Sequence, residues 1–150
     1  MPDLVAPSAA SDFLHAECRE RGEILTNLKL QKLLYYSEAW HLAIFEQPLF
    51  EEDFEAWVHG PVLPSQYQRF RDYRWKPIVE EIGRPSLAEG YERHFCEVVD
   101  VFGSETAVAL ELMTHRERPW LEARGNLGPE VPSSAKISKE TMRETYKFLR

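Results

Sequence analysis

The sequence predicts a mainly α protein, a compact single-domain helical fold around a central apolar helix, with a small extended element near residues 48–63. Three observations predict it. The run TNLKLQKLLYYSEAWHLAIF is apolar on almost every side at helical spacing, as expected of a helix wrapped by others. Ser and Thr residues suited to helix capping recur ahead of apolar stretches, with Gly or Pro following them. Strand-like alternation is confined to PLFEEDFEAWVHGPV. At 150 residues, with 43% hydrophobic and 12% aromatic content, the chain is long enough to bury a genuine core.

Residues 1–10 read as a loose leader and residues 11–150 as the domain. The leader has an acid where a signal peptide is basic and no apolar h-region, so a cytoplasmic location is expected. Ser11 is placed to cap a short helix with Phe13, Leu14 and Cys18 on one face and Gly22 beyond its end. Thr26 caps the central helix, whose stripe is Leu30, Leu33, Leu34, Ser37, His41 and Ile44. Tyr36, Ala39, Trp40 and Ala43 widen that stripe, and Gln47-Pro48 end it. In the extended element Phe54, Ala56 and Val58 point one way and Glu55, Trp57 and His59 the other, until Gly60-Pro61 stops the run.

Ser65 then caps a helix through Tyr67 and Phe70, and the stretch from Trp75 to Pro85 has no decisive periodicity. Ser86 and Glu89 have capping-box spacing ahead of Val98, Val99 and Phe102, with Gly103 closing that helix. Ser104 caps the next helix; Pro119 opens a short turn around Trp120 that Gly125 ends. After the loop NLGPEVPSSA, Ser138 caps a last helix with Ile137 and Met142 as a hydrophobic staple and Tyr146 and Leu149 on its face.

Charge and composition exclude several function classes. With 25 acids against 18 bases the chain carries a net charge of −7, which argues against gripping a phosphate backbone and favours a basic partner. No apolar run approaches the roughly 18 residues of a membrane span. Cys18 and Cys96 form no CxxC pair and read as buried thiols.

Catalytic signatures are equally sparse. His15, His41, His59, His94 and His115 have no metal-ligand spacing, so no cofactor is expected. Glu51, Glu52, Asp53 and Glu55 lack the alternation of a calcium loop and read as a solvated edge. Neither cysteine has a context that would lower its pKa, and no phosphate-cradling glycine loop occurs. A small metal-dependent or thiol enzyme without a recognisable motif is the competing reading. Lys29 and Lys32 share a face of the central helix and read first as a solvent stripe, with a structural ion pair or a partner contact as alternatives. Trp57 is either packed against Tyr67 or Trp120, or exposed as an interface anchor; Pro61 and Pro64 stiffen the loop beside it.

Three blocks in order, LTNLKLQKLLYYSEAW, PLFEEDFEAWVHGPVLPSQYQRF and THRERPW, resemble the Panacea domain of SocA-like antitoxins and GepA-like phage-associated proteins. The resemblance spans nearly the whole chain. It implies a non-enzymatic antitoxin that binds a toxin encoded beside it and neutralises it by contact, in some members by presenting it to the ClpXP protease. Fold-defining positions carried over are Leu30, Leu33, Leu34, Tyr35, Gly60, Pro119 and Trp120. Lys29, Lys32, Trp57, His59, Pro61 and Tyr67 are the expected partner-binding residues.

Overall fold

The computed structural model describes residues 4–147. Among them seven α-helices and one hairpin follow in the order α1 (Pro7–Glu20), α2 (Asn27–Phe45), β1 (Glu55–Trp57), β2 (Gly60–Val62), α3 (Pro64–Phe70), α4 (Glu89–Phe102), α5 (Ala107–Thr114), α6 (Arg118–Arg124) and α7 (Lys139–Lys147), with a single 3-10 turn at Arg71–Tyr73 after α3. The expected mainly α architecture around a central helix is what forms. Leu149, placed on the face of the last helix from the sequence, lies outside the described residues, as does the start of the expected leader.

Helix α2 is the axis. The Thr26 side chain accepts from the Lys29 N–H at 3.2 Å, so the helix starts where the sequence expects. From Lys29 to Ala39 every side chain is buried, polar ones included. It packs against α1, α3, α4, α5, α7 and β2, which is why its composition is apolar on all sides. A left-handed residue, Glu46, closes it.

Several expected starts are displaced, two of them by proline. Helix α1 begins at Pro7, not after Ser11, because proline at the first turn has its φ preset and lacks a donor there. Ser11 is consequently buried inside the helix, and Val5 ahead of it bonds the Leu49 carbonyl at 2.9 Å, so the leader is helical from Pro7. Gly22, at φ 74°, ends α1 as expected: Glu23 N–H reaches Cys18 O and Gly22 N–H reaches Arg19 O, both orphan carbonyls being satisfied. The same proline effect starts α3 at Pro64 with Leu63 as cap, not Ser65. Ser86 does not cap α4; Ala88 occupies the cap, and Glu92 reaches back to the Leu87 N–H at 2.9 Å. Thr106, not Ser104, caps α5. Ser138 does cap α7, accepting from Thr141 N–H at 3.2 Å, and Ile137 and Met142 are both buried.

Gly60-Pro61 does not stop the extended run. The chain turns at Val58-His59 and returns as β2, with Ala56 opposite Pro61 and Trp57 opposite Gly60. Proline is tolerated because this position points its backbone away from β1. Its partner Ala56 likewise sends its N–H outward, to Ala135 O at 2.8 Å. Residues 135–137 thereby flank β1, with Ile137 N–H bonded to Phe54 O at 2.8 Å. Gly60 is required twice over: its φ is +104°, and a Cβ there would lie 2.6 Å from Lys32 Cε and 2.9 Å from Thr114 Oγ1.

Candidate functional site: an aromatic groove beside the hairpin

An open groove of about 1040 Å³ lies beside the hairpin. The hairpin contributes Trp57 and His59, α3 contributes Tyr67, and the segment after α3 contributes Arg71, Arg74 and Trp75. Val108 and Glu111 reach it from α5. The Trp57 and Tyr67 rings meet edge to face with centroids 4.9 Å apart, and the Trp57 indole N–H donates to Glu55 at 2.8 Å. Trp57 is half-buried, and its carbonyl accepts the Trp120 indole N–H at 2.8 Å. His59 is exposed, with Nδ1 3.2 Å from Glu111 Oε1. Three of the six expected partner-binding residues therefore share one surface.

The other three do not reach it. Lys29 and Lys32 form no solvent stripe: both are buried, Lys29 donating to Gly103 O at 2.6 Å and Lys32 to Pro61 O at 3.0 Å. Each long side chain carries its ammonium to a backbone carbonyl that would otherwise be orphaned, one after α4 and one in β2. Burial pushes the Lys32 ammonium down to about 7. Pro61 is buried above it. None of these three offers its side chain to a partner in this arrangement.

Three of the histidines serve the interior. His15, His41 and His94 hold the carbonyls of Glu80, Gln47 and Ser37 at 2.8, 2.7 and 2.8 Å. His115 lies flat on Trp120, centroids 4.1 Å apart. Among the described residues no three His, Cys, Asp or Glu side chains are grouped to hold a metal. The Cys18 thiol is pushed up to about 11 by burial, and Cys96 is raised for the same reason, so both are held in the unreactive protonated form.

Comparison with known proteins bears on the whole of this geometry. Residues 30–121 match the family described as "Antitoxin SocA-like, Panacea domain". The chain belongs to this Panacea family. It is also 26% identical to the antitoxin SocA of Caulobacter vibrioides, over 98% of this chain and 85% of that protein. No solved structure matches it. The Panacea match runs from α2 to α6 and so includes the hairpin and all of the groove residues named above.

Within the Panacea domain, Leu30, Leu33, Leu34 and Tyr35 sit in the core and Trp120 at its edge beside the hairpin. Pro119 lies in the first turn of α6. What sequence reasoning missed is polar. Glu38, fully buried on α2, accepts from Leu49 N–H and Lys139 Nζ, both at 2.6 Å, tying α2 to the loop after it and to α7. Glu117 accepts from Tyr36 and Tyr146 hydroxyls at 2.7 and 2.8 Å, and burial raises its pKa. Gln31 holds Leu63 N–H at 2.9 Å, fixing the end of β2. Arg124 donates to Ala56 O at 2.9 Å and fastens β1 to α6. The one available signal was the presence of polar side chains, Gln31, Lys32 and Glu38 among them, in a run apolar on nearly every side, where each needs a buried partner.

Proposed function

We propose that this protein is the antitoxin of a toxin–antitoxin pair and neutralises a cognate toxin by direct protein–protein binding, without catalysing a reaction. The observation that carries the reading is its Panacea match, together with likeness to an antitoxin along nearly its full length. The geometry agrees with it. Thiols are held protonated, three of the histidines are spent on backbone carbonyls, and the groove is open, aromatic and suited to a polypeptide. No helix among the described residues is long and apolar enough to cross a membrane. The toxin is encoded by a neighbouring gene, and the encounter takes place in the cytoplasm.

Co-expression tests this. Cells making the neighbouring gene product alone should stop growing, and cells making both proteins should grow and yield a complex on purification. A harmless neighbour, or continued toxicity despite abundant folded protein, removes the reading. Neutralisation can end in sequestration or in delivery of the toxin to the ClpXP protease. Delivery requires the toxin's half-life to shorten only when ClpXP and this chain are both present; an unchanged half-life leaves sequestration.

A further inference from the structure

Resting on that reading, we propose that the aromatic groove is the toxin's seat and that it takes a segment carrying a bulky apolar side chain beside a carboxylate. The apolar half of the requirement comes from Trp57, Tyr67, Trp75 and Val108, all lining the same concavity. Trp75 is 75% exposed and Val108 64%, so the chain leaves two large apolar groups in water beside a groove that can cover them. Tryptophan in such a position is the commonest kind of interface anchor.

The carboxylate comes from charge. The chain is acidic overall, at −7, yet RDYRWK, residues 71–76, has three cations against one acid. Most other long cations near this face are engaged: Arg69 pairs with Asp12 at 2.6 Å, Arg124 is buried on backbone carbonyls, and Lys29 and Lys32 are internal. Among the described residues the Arg71 side chain meets Gln68 at 3.2 Å and its neighbour Asp72 at 3.9 Å, both in solvent. Arg74 is exposed, and its side chain makes no hydrogen bond or ion pair among the described residues. The uncommitted Arg74 guanidinium, with the solvent-exposed and weakly held Arg71 beside it, matches a carboxylate in shape and sign.

The presentation is fixed. Arg74 has φ 57° and ψ −120°, a conformation that glycine adopts freely and arginine rarely does. It persists because both sides are pinned: Arg74 N–H bonds Arg71 O and Lys76 N–H bonds Tyr73 O, each at 3.0 Å. Beyond them, buried Ile78 bonds Leu25 O at 2.8 Å. A pinned turn loses little freedom when a partner docks on it. Contact through strand addition is closed off, because the outward position on β2 is Pro61, which has no N–H and whose carbonyl is taken by Lys32. Stacked bases also suit aromatic grooves with arginines. Two guanidiniums on so acidic a chain give few phosphate contacts, which favours the polypeptide.

The test uses the full chain and the purified product of the neighbouring gene, with binding measured by calorimetry. Trp75→Ala should weaken binding by about 30-fold, the loss expected for an aromatic anchor. Arg74→Gly should weaken it by about tenfold while leaving thermal stability unchanged or higher, since glycine relieves the backbone there. Leu121→Ala, exposed on α6 away from the groove, should bind as wild type. A photo-cross-linking phenylalanine analogue at position 75 should mark a toxin segment with Asp or Glu next to an apolar side chain. Wild-type binding that neither groove variant alters overturns the seat and leaves the antitoxin reading standing. A cross-linked segment with no acid overturns the chemistry. Oligo-dT binding that Trp75→Ala abolishes overturns the polypeptide occupant. A wild type that binds no toxin removes the antitoxin reading and this inference with it.

Discussion

Lys32→Met removes one buried ammonium and keeps most of the side-chain volume, which makes its effect on stability calculable. In the wild type Nζ has one acceptor, the Pro61 carbonyl, and the only charge favouring its cationic form is Glu111. Burial lowers its pKa from 10.5 to about 7. Between those values the unfolded chain holds the proton and the folded chain does not, so wild-type stability rises with pH by at most about 1.4 kcal/mol per unit. The penalty is fully present below about pH 7 and gone above 10.5, on the order of 5 kcal/mol in total. The Met variant escapes it and leaves Pro61 O without a donor, at a pH-independent cost of about 1–3 kcal/mol. The two stability curves must therefore cross. Urea unfolding at a series of pH values reads this. Subtracting one protein from the other cancels the opposing slopes of Cys18 and the buried tyrosines. The Met variant should be the more stable near neutrality and the wild type at alkaline pH. Parallel curves, or a wild-type advantage that grows toward acid, would refute the reasoning by showing that Lys32 has a charged partner.

Other perturbations follow from the same packing. Gly60→Ala meets a positive φ and two close side-chain atoms, and should lower stability by about 2–4 kcal/mol in urea unfolding. Lys139→Ala strands Glu38 in the core and should cost about 3–5 kcal/mol. Adding Glu38→Gln to it should recover part of that loss, which a double-mutant cycle will read. Trp57→Ala should cost about 1–2 kcal/mol by thermal melting, below the value for a fully buried tryptophan, because its ring is only partly buried and lines the groove. A loss of 4 kcal/mol or so would instead assign Trp57 wholly to the core.

The sequence carried the central helix clearly, since the Thr26 cap, the largely apolar circumference and the break near Pro48 agree with one another. The Gly22 and Gly125 stops and the Ser138 cap were legible for the same reason, each being a local rule that nothing nearby contradicted. Ser11, Ser65 and Ser104 misled because a serine ahead of an apolar run is a weak signal, overridden by Pro7 and Pro64 or by a better-placed Thr106, and Ser86 gives way to Ala88 at the cap of α4. Lys29 and Lys32 misled more deeply. Helical spacing fixes the face of a residue but not what stands opposite it, and their acceptors lie 74 and 29 residues further along. Part of the groove was readable in Trp57, His59 and Tyr67. Val108 and Glu111 reach it from α5, and Arg71 to Trp75 lead into a stretch without decisive periodicity from Trp75 on, whose position depends on tertiary pairing near Leu25.

The stoichiometry of neutralisation tests the central claim most directly. Purified protein is titrated into a fixed amount of the neighbouring toxin while the toxin's own activity is followed, with no nucleotide or protease present. Binding without catalysis predicts inhibition that grows linearly and is complete at a fixed molar ratio, independent of incubation time. Inhibition that continues to deepen with time at a small fraction of that ratio would mean turnover, and would contradict the account.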